Sequence, residues 1–300
     1  MDFIGQIRKS ASFYNKIWKF KIINKGKGNN FMIYNKQEFG VDYASMGVSE
    51  PPRKTTLTSY ILTPANECWK VRPAVIICPG GGYKLTSAKE AEPVAMKFLS
   101  AGFHCFVLDY AVAPAGWPAA CCELSKTISY VRSLADANGI DKNKVFVCGF
   151  SAGGHLAASI GVHYDKEIIR KFSDVNGDEN KPDGIILGYP VITDHDTHEG
   201  TMLNFIAGRE DVKEFFAIEK HVTKNTPKTF VWHTFEDKCV PVVGTTRLVN
   251  ALAENGVEFE AHIFPKGNHG LSLANKVTGE TREEVSSWID MAIRWINDFE

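Results

Sequence analysis

The chain has 300 residues, of which 44% are hydrophobic, and this length and composition suit one large α/β domain. The formal net charge of -1 excludes a strongly basic nucleic-acid-binding surface and favours a small-molecule partner. No apolar run approaches the roughly 18 residues of a membrane span, and no signal peptide opens the chain, so we expect a cytoplasmic protein. The seven cysteines lack C-x-x-C spacing, which predicts reduced, packed thiols.

Residues 1–30 mix apolar and basic side chains at loosely helical spacing. This pattern predicts an amphipathic helix followed by a glycine-rich loop. Such a helix could lie on a membrane surface, but we favour a helix that packs on its own domain or on a second subunit of a homo-oligomer.

Short apolar segments recur along the rest of the chain and predict the strands of a sheet. Residues 54–62 alternate in polarity and predict an antiparallel edge strand. Buried strands are predicted at residues 74–78, 105–110, 145–148, 184–192, 229–233 and 259–264. Helical patterns occupy residues 92–101, 117–136, 155 onward, 245–255 and 282–299. This alternation predicts a mostly parallel, doubly wound α/β sheet with helices on both faces.

The most informative motif is Gly149-Phe150-Ser151-Ala152-Gly153, which lies between a predicted strand and a predicted helix. In so tight a turn, a Cβ at either glycine would clash. The context predicts a nucleophile at Ser151, with the helix N-terminus behind it to stabilise negative charge on a bound carbonyl oxygen. The alternative is a glycine-rich connection whose serine only caps the helix.

Three consecutive glycines, Gly80 to Gly82, follow the strand predicted at residues 74–78. Their backbone N–H groups can approach a ligand without side chains in the way. We predict that the N–H of Gly81 or Gly82, together with that of Ala152, binds the oxyanion of a tetrahedral intermediate. A flexible loop or a phosphate cradle would also fit the glycines. However, the Lys-Ser/Thr of a P-loop and a G-x-G-x-x-G pattern are both missing, so no nucleotide cofactor is predicted.

Two later loops supply the remaining groups of a catalytic triad. Asp237 follows the strand at residues 229–233, and His269 lies in a glycine-flanked loop after residues 259–264. The chain order Ser151, Asp237, His269, with each residue after a separate strand, is that of a Ser-His-Asp triad. Glu236 is the rival for the acid.

The residues between the strands predicted at 184–192 and 229–233 predict a cap rather than a metal site. Residues 199–226 are charged and interrupt the strand rhythm, as expected of a small helical cap. The run Asp194-His195-Asp196-Thr197-His198-Glu199 carries metal-ligand side chains. Its two histidines lie three residues apart on a predicted loop, with no distant third ligand, so no metal is predicted.

Tyr83, Tyr110 and Trp117 follow predicted strand ends, where the carboxyl edge of a parallel sheet places its ligand site. They are candidates for lining the substrate pocket and for stacking on a sugar or an aryl alcohol. Packing in the core explains the three aromatic residues equally well.

Together these motifs resemble the α/β-hydrolase-fold esterases, and in particular the bacterial acetyl-esterase and acetylxylan-esterase-like sugar hydrolases. This group borders the hormone-sensitive-lipase-like and prolyl-oligopeptidase-like hydrolases. The resemblance covers residues 55–300. Its motifs are Pro79-Gly80-Gly81-Gly82-Tyr83, Gly149-Phe150-Ser151-Ala152-Gly153-Gly154-His155, Tyr189-Pro190-Val191-Ile192, Asp237-Lys238-Cys239-Val240-Pro241 and His269-Gly270-Leu271. Pro79 and Phe150 depart from the hormone-sensitive-lipase pattern and favour the acetyl-esterase side.

The resemblance implies a serine carboxylesterase without metal or cofactor, acting on short-acyl esters such as acetylated carbohydrates. It divides the chain into an extension at residues 1–50 and a catalytic domain at residues 51–300, with the cap at residues 199–226. Two alternatives remain: a prolyl-oligopeptidase-like peptidase, for which no propeller domain is present, and a non-catalytic small-molecule binder, which would usually lack a triad member.

Overall fold

The computed structural model describes residues 32–64, 69–194 and 199–300, and the strands in these ranges form one eight-stranded sheet. The strand order is β1-β2-β4-β3-β5-β6-β7-β8. The strands are β1 (Met32–Glu38), β2 (Thr56–Leu62), β3 (Arg72–Cys78), β4 (His104–Asp109), β5 (Ile140–Phe150), β6 (Gly184–Gly188), β7 (Lys228–Thr234) and β8 (Phe259–Phe264). Pairing is antiparallel on both sides of β2 and parallel from β4 through β8. The predicted mostly parallel α/β sheet is confirmed.

Helices follow most of the strands and cover both faces of the sheet. In the described ranges they are α1 (Glu92–Ser100), α2 (Ala119–Ser133), α3 (Ala135–Asn138), α4 (Ala152–His163), α5 (Glu167–Ser173), α6 (Glu199–Ile206), α7 (Val243–Glu254), α8 (Glu283–Ser286) and α9 (Trp288–Asn297). Three short 3-10 helices lie at Ala88–Glu90, Glu210–Phe215 and Ile218–His221.

The core has two layers because successive strand side chains point to opposite faces of the sheet. In β3, Ala74, Ile76 and Cys78 pack on the side that holds α2 and α4. Val75 and Ile77 pack on the other side, together with α1 and α9. All five side chains have no exposed surface. Burial on both faces explains why the central strands appear in the sequence as continuous apolar runs.

The N-terminal edge of the sheet differs from the prediction. Residues 54–62 were expected to form the edge strand, but β2 pairs on one side with β1 and on the other with β4. The edge is β1, whose residues are mostly exposed and polar and therefore carry no apolar periodicity. The antiparallel pairing was predicted correctly, but the edge position was wrong because β1 has no sequence pattern that reveals a further strand outside β2.

Two predicted helices are each divided in the structure. The helix expected at residues 117–136 becomes α2 and the short α3, which meet at Leu134. The helix expected at residues 282–299 becomes α8 and α9, which meet at Ser287. The helix α5 was not predicted. Local periodicity located these segments without locating their ends.

The insertion between β6 and β7 is helical, as predicted, and contains α6 and two of the 3-10 helices. It contacts the glycine loop after β3, because the Asn204 Nδ2 amide donates to the carbonyl oxygen of Gly82 at 2.8 Å. It also contacts the start of α2, because the Trp117 N–H donates to the carbonyl oxygen of Phe205 at 2.9 Å. The cap is therefore joined to loops at the carboxyl edge of the sheet.

Some of the predicted features lie outside the residues that the structure describes. The amphipathic helix predicted at residues 1–30 and the histidines of the run at residues 194–199 lie outside the described residues. Within the described ranges, none of the helices is both long and apolar enough to cross a bilayer. Six cysteines in these ranges are free thiols, and Cys239 is the exposed one among them.

Candidate active site

The turn between β5 and α4 holds Ser151 in a strained backbone conformation, with φ 52° and ψ −119°. A Cβ at Gly149 would lie 2.1 Å from the carbonyl oxygen of Gly153, and one at Gly153 would lie 2.1 Å from that of Cys78. Both distances are too short for any side chain, so the two glycines are a steric requirement of the turn. The Ser151 N–H donates to the Gly188 carbonyl oxygen at 3.0 Å, which fixes the turn to β6.

The structure brings Ser151, His269 and Asp237 into one hydrogen-bonded chain. His269 Nδ1 lies 2.6 Å from Asp237 Oδ2, and His269 Nε2 lies 2.8 Å from Ser151 Oγ. An ionised carboxylate only accepts, so the Nδ1–H donates to Asp237 and Nε2 is left to accept the serine proton. Ser151 is 8% exposed. This geometry places the serine hydroxyl beside an imidazole nitrogen that can accept its proton.

The Asp237 carboxylate is fixed on both oxygens. Oδ1 accepts the N–H groups of Cys239 and Val240, each at 2.9 Å, and Oδ2 faces His269 and lies 3.3 Å from His233 Nε2. Burial by itself would raise the pKa of this carboxyl, but hydrogen bonds from His233, His269 and Val240 outweigh it and hold the pKa well below its usual range. Asp237 is therefore ionised in the folded protein.

The rival acid, Glu236, is turned away from His269. Its Oε1 lies 2.6 Å from Lys266 Nζ, and its Oε2 accepts the Gly267 N–H at 3.2 Å. The hydrogen bond from Lys266 lowers the pKa of the Glu236 carboxyl. Glu236 thus supports the base of the histidine loop, while Asp237 is the acid that contacts the imidazole.

The glycine loop after β3 has the backbone geometry expected of an oxyanion-binding loop. Gly81 and Gly82 have φ values of 135° and 63°, and a Cβ at Gly81 would lie 2.1 Å from the Leu85 carbonyl oxygen. Among the described residues, the N–H groups of Gly81, Gly82 and Ala152 find no hydrogen-bond acceptor. They are free to bind a ligand oxygen, although their role as an oxyanion hole stays a prediction.

The three candidate pocket aromatics are buried: Tyr83 is 4% exposed, Tyr110 1% and Trp117 3%. The Tyr110 hydroxyl donates to the Pro79 carbonyl oxygen at 2.6 Å, and the Tyr83 hydroxyl lies 2.9 Å from His155 Nδ1. The Trp117 ring stacks on Phe215 of the cap, with ring centres 5.1 Å apart. In this structure the three rings support the glycine loop and the cap from inside, and any contact with substrate stays a prediction.

Metal binding has no support in the described part of the chain. In residues 32–64, 69–194 and 199–300, no three His, Cys, Asp or Glu side chains come together as a cation site would require. The histidines of the run at residues 194–199, which we considered from the sequence, fall outside these ranges.

Four residues near the site were not predicted from the sequence as site residues: His233, His155, Glu90 and Tyr189. His233 is completely buried beside Asp237, with its Nδ1 2.7 Å from the Thr245 hydroxyl oxygen. His155 is also completely buried, and its Nε2 lies 2.8 Å from the Phe216 carbonyl oxygen of the cap. Burial lowers the pKa of His155 to about 4, so it is neutral. The sequence signals were weak, because a lone histidine or a glutamate in a charged run is ordinarily a surface or packing residue.

Curated relatives with matching sequences include enzymes of xylan breakdown. Endo-1,4-beta-xylanase B of Butyrivibrio fibrisolvens is 36% identical over 215 residues, which cover 68% of this chain and 33% of that protein. The acetylxylan esterase of Xylanibacter ruminicola is 28% identical over 228 residues, which cover 72% of this chain and 45% of that protein. The chain therefore spans less than half the length of either relative.

Solved structures match over most of the fold. An acetyl ester-xyloside bifunctional hydrolase from Caldicellulosiruptor lactoaceticus is 32% identical, with a TM-score of 0.75 over 88% of this chain and 95% of that one. An alpha/beta hydrolase enzyme from a deep-sea metagenome is 30% identical, with a TM-score of 0.68 over 89% of this chain and 98% of that one. The α/β-hydrolase fold expected from the motifs is confirmed. The BD-FAE family model matches residues 60–252, from β2 into α7, and the chain accordingly belongs to the BD-FAE family.

Proposed function

We propose that the protein is a serine carboxylesterase that hydrolyses short-acyl esters, with acetyl esters of carbohydrates as its substrate class. The observation that carries the proposal is the chain from Ser151 Oγ through His269 to Asp237, at 2.8 and 2.6 Å. Three backbone N–H groups on neighbouring loops have no acceptor among the residues that the structure describes. Nucleophile, base, orienting acid and oxyanion donors are the groups that acyl transfer requires.

The reaction follows from these positions. His269 Nε2 takes the proton of Ser151 as its Oγ attacks the ester carbonyl, and Asp237 stabilises the imidazolium that forms. The developing oxyanion accepts hydrogen bonds from Ala152 and from Gly81 or Gly82. Collapse of the tetrahedral intermediate returns the proton from His269 to the leaving alcohol and forms an acyl-serine. Water, deprotonated by His269, then attacks the acyl-serine, and the acid product leaves with Ser151 restored.

The preference for a small acyl group rests on the insertion at residues 199–226, which is short and charged, so we expect no long apolar tunnel beside Ser151. A long acyl chain gains affinity only by burying its methylenes, at about 0.8 kcal/mol each. The names of two matched proteins, an acetylxylan esterase and an acetyl ester-xyloside hydrolase, support acetylated xylose polymers as the carbohydrate.

A series of nitrophenyl esters tests the acyl preference. We expect kcat/KM to be highest for acetate and to fall by at least about 10-fold to octanoate, because the proposal includes no tunnel that would bury the longer acyl chain. Release of acetate from acetylated xylo-oligosaccharides tests the alcohol side. The Ser151→Ala variant measures the background in both assays.

Two outcomes would contradict the proposal. Rates that rise with chain length to octanoate would refute the short-acyl preference, because they would require a long apolar site. Hydrolysis of prolyl amides faster than of any acetyl ester would favour the peptidase alternative instead.

A further inference from the structure

Glu90 is a buried carboxylate that the acyl-transfer steps do not use. It ends the 3-10 turn Ala88–Glu90, just after the glycine loop, and is 3% exposed. Its Oε2 accepts the N–H of Gly80 at 2.8 Å, and its Oε1 accepts the hydroxyl of Tyr189 at 2.7 Å. A buried carboxylate is costly unless it is well bonded, so its place beside the site calls for an explanation.

Glu90 Oε1 is connected through the Tyr189 hydroxyl to the loop that carries His269. The Tyr189 hydroxyl accepts the backbone N–H of Ser272 at 2.8 Å, three residues after His269. The Tyr189 ring itself packs edge-on against the His269 ring, with ring centres 5.0 Å apart. The Ser272 hydroxyl donates back to the carbonyl oxygen of Lys89 at 2.6 Å. The histidine loop is therefore fixed to Tyr189 and to the turn that carries Glu90.

The carboxylate lies between the two loops that hold the predicted catalytic groups. A Cβ on Gly80 would lie 2.8 Å from Glu90 Oε2 and 2.9 Å from Ser151 Cβ, and a Cβ on Gly270 would lie 4.0 Å from Glu90 Oε1. Tyr189 and Ser272 both adopt positive φ, at 38° and 53°, which residues with side chains rarely do. Such strain persists only where the surroundings hold the backbone in place.

We propose that Glu90 is a positioning residue that couples the oxyanion loop to the histidine loop, with one carboxylate oxygen bonded toward each. The inference rests on the proposed function and adds to it a residue that acts through Gly80 and Tyr189. Its effect is to fix the positions of the Gly81 and Gly82 N–H groups and of the His269 imidazole relative to the Ser151 hydroxyl. Preorganised donors need no rearrangement when charge develops.

The donors around Glu90 require a carboxylate. The Ser272 N–H can only donate, so the Tyr189 hydroxyl accepts from it and donates its own hydrogen bond to Glu90. The Gly80 N–H can also only donate, so both glutamate oxygens must act as acceptors. An amide of the same shape has one acceptor and one donor. Glutamine would therefore set an N–H against either Gly80 or Tyr189, and that loop would have to move.

Glu123 offers a matched control, because it is also a fully buried carboxylate with several donors. It accepts from the Thr55 hydroxyl and the Ala111 N–H, each at 2.7 Å, and from the Tyr43 hydroxyl. None of these donors belongs to the loops that carry Ser151, Asp237 or His269. Glu123→Gln replaces a second buried carboxyl group by an amide without touching the coupling that we assign to Glu90.

The test compares Glu90→Gln, Tyr189→Phe, their double variant and Glu123→Gln in the full chain. We expect Glu90→Gln to lower kcat on nitrophenyl acetate by about 10- to 100-fold, with KM changed by less than about 3-fold, because substrate binding does not use Glu90. The affinity of a trifluoromethyl ketone, which forms an oxyanion on Ser151, should weaken by a similar factor. Glu123→Gln should keep kcat within about 2-fold of wild type.

Tyr189→Phe keeps the ring against His269 and removes only the hydroxyl. It therefore tests the same network if Glu90→Gln folds poorly. It should act in the same direction, and the double variant should lose less than the product of the two single losses, because both break one network. Wild-type kcat and ketone affinity in a folded Glu90→Gln, or equal losses of kcat in Glu90→Gln and Glu123→Gln, would overturn the inference.

A failure of the proposed function would look different. It would appear as wild-type protein without esterase activity. In that case the rate at which a fluorophosphonate labels Ser151 still compares the variants, since labelling uses the same donors and imidazole. An unchanged labelling rate in Glu90→Gln would then overturn the inference by itself.

Discussion

Two regions meet at the carboxyl edge of the sheet, and they are built differently. The triad region consists of the turn at Ser151 and the loops of Asp237 and His269, and its geometry is imposed largely by the backbone. The cap region consists of residues 199–226 and the buried rings of Tyr83, Tyr110 and Trp117, and it depends on side-chain packing. A Cβ added at Gly149 would come within 2.1 Å of another residue's backbone, whereas Trp117 and the cap meet through stacked rings 5.1 Å apart.

This difference predicts that the two regions respond differently to substitution. Backbone-imposed geometry tolerates almost no change, so the triad region should respond to substitution in an all-or-none way. Ring packing can adjust with moderate loss, because volume-conserving changes in a core cost little. We therefore expect the largest effects in the triad region and smaller, graded effects beneath the cap region.

Ser151→Ala should cause the largest loss of all. With the nucleophile removed, kcat should fall by about 10⁶-fold, because only binding and the oxyanion donors remain. The fold should be kept, since Ser151 contributes its backbone and not its hydroxyl to the packing of the turn. Steady-state rates with nitrophenyl acetate measure the effect, and Ser100→Ala, at an exposed position on α1, is the control. More than about a tenth of wild-type activity would rule out Ser151 as the nucleophile.

Asp237→Asn should follow, with a loss of about 10⁴-fold in kcat, because an amide lets His269 adopt the wrong tautomer. Glu236→Gln is the matched control one residue away. It should retain most activity, because Glu236 contacts Lys266 and Gly267 and does not contact the imidazole. Equal losses at the two positions would mean that the acid loop works in another way.

Gly149→Ala tests the claim that the backbone imposes the turn. The added Cβ cannot fit 2.1 Å from the Gly153 carbonyl oxygen, so the turn must open, and we expect a loss of about 3 kcal/mol or more in unfolding free energy. Gly256→Ala is the comparison, since nothing lies within 4 Å of its Cβ and only its φ of 69° is unfavourable. It should cost about 1 kcal/mol. Urea unfolding of both variants measures the difference, which would vanish if the turn could relax freely.

Glu123 gives a smaller effect beneath the cap region, where it binds the N–H that follows Tyr110. Burial raises the pKa of its carboxyl from 4.5 to about 7, in spite of the hydrogen bonds that it accepts. A group whose pKa is raised on folding contributes stability below its unfolded value, and loses that contribution as pH rises through the folded one. Between pH 4.5 and about 7 this should remove up to about 3 kcal/mol.

The measurement is the unfolding free energy of Glu123→Gln minus that of wild type, followed from pH 4.5 to 8. Taking the difference matters because buried histidines act oppositely. Burial lowers the pKa of His104 to about 4, and its contribution is lost as pH falls. The difference should rise with pH across the window in favour of Glu123→Gln. A difference that stays constant would mean that Glu123 titrates normally.

Much of the triad region could be predicted from the sequence because its signals are local. A turn that excludes Cβ atoms requires glycine at fixed spacing, and buried parallel strands appear as apolar runs. Ser151, Asp237 and His269 each follow such a run, and the structure brings them together. Their chemical roles remain proposals, since the experiments above are what test them.

The rest could not be predicted because it depends on distant packing. Glu90 lies in a charged run, Ser87-Ala88-Lys89-Glu90, and only the positions of Gly80 and Tyr189 in space make it a buried acceptor. The edge strand β1 is mostly exposed and mixes apolar and polar residues without alternation, so it leaves no periodic signal. Tyr83, Tyr110 and Trp117 were expected near the pocket, but burial against His155, Pro79 and the cap is decided by contacts between separate segments.

The most direct test of the central claim is the site of covalent labelling. The wild-type protein is incubated with a fluorophosphonate and analysed by peptide mass spectrometry. The account predicts a single adduct on Ser151, formed much more slowly in Asp237→Asn and absent from Ser151→Ala. Continued ester hydrolysis with no adduct on Ser151, or with the adduct on another residue, would contradict it.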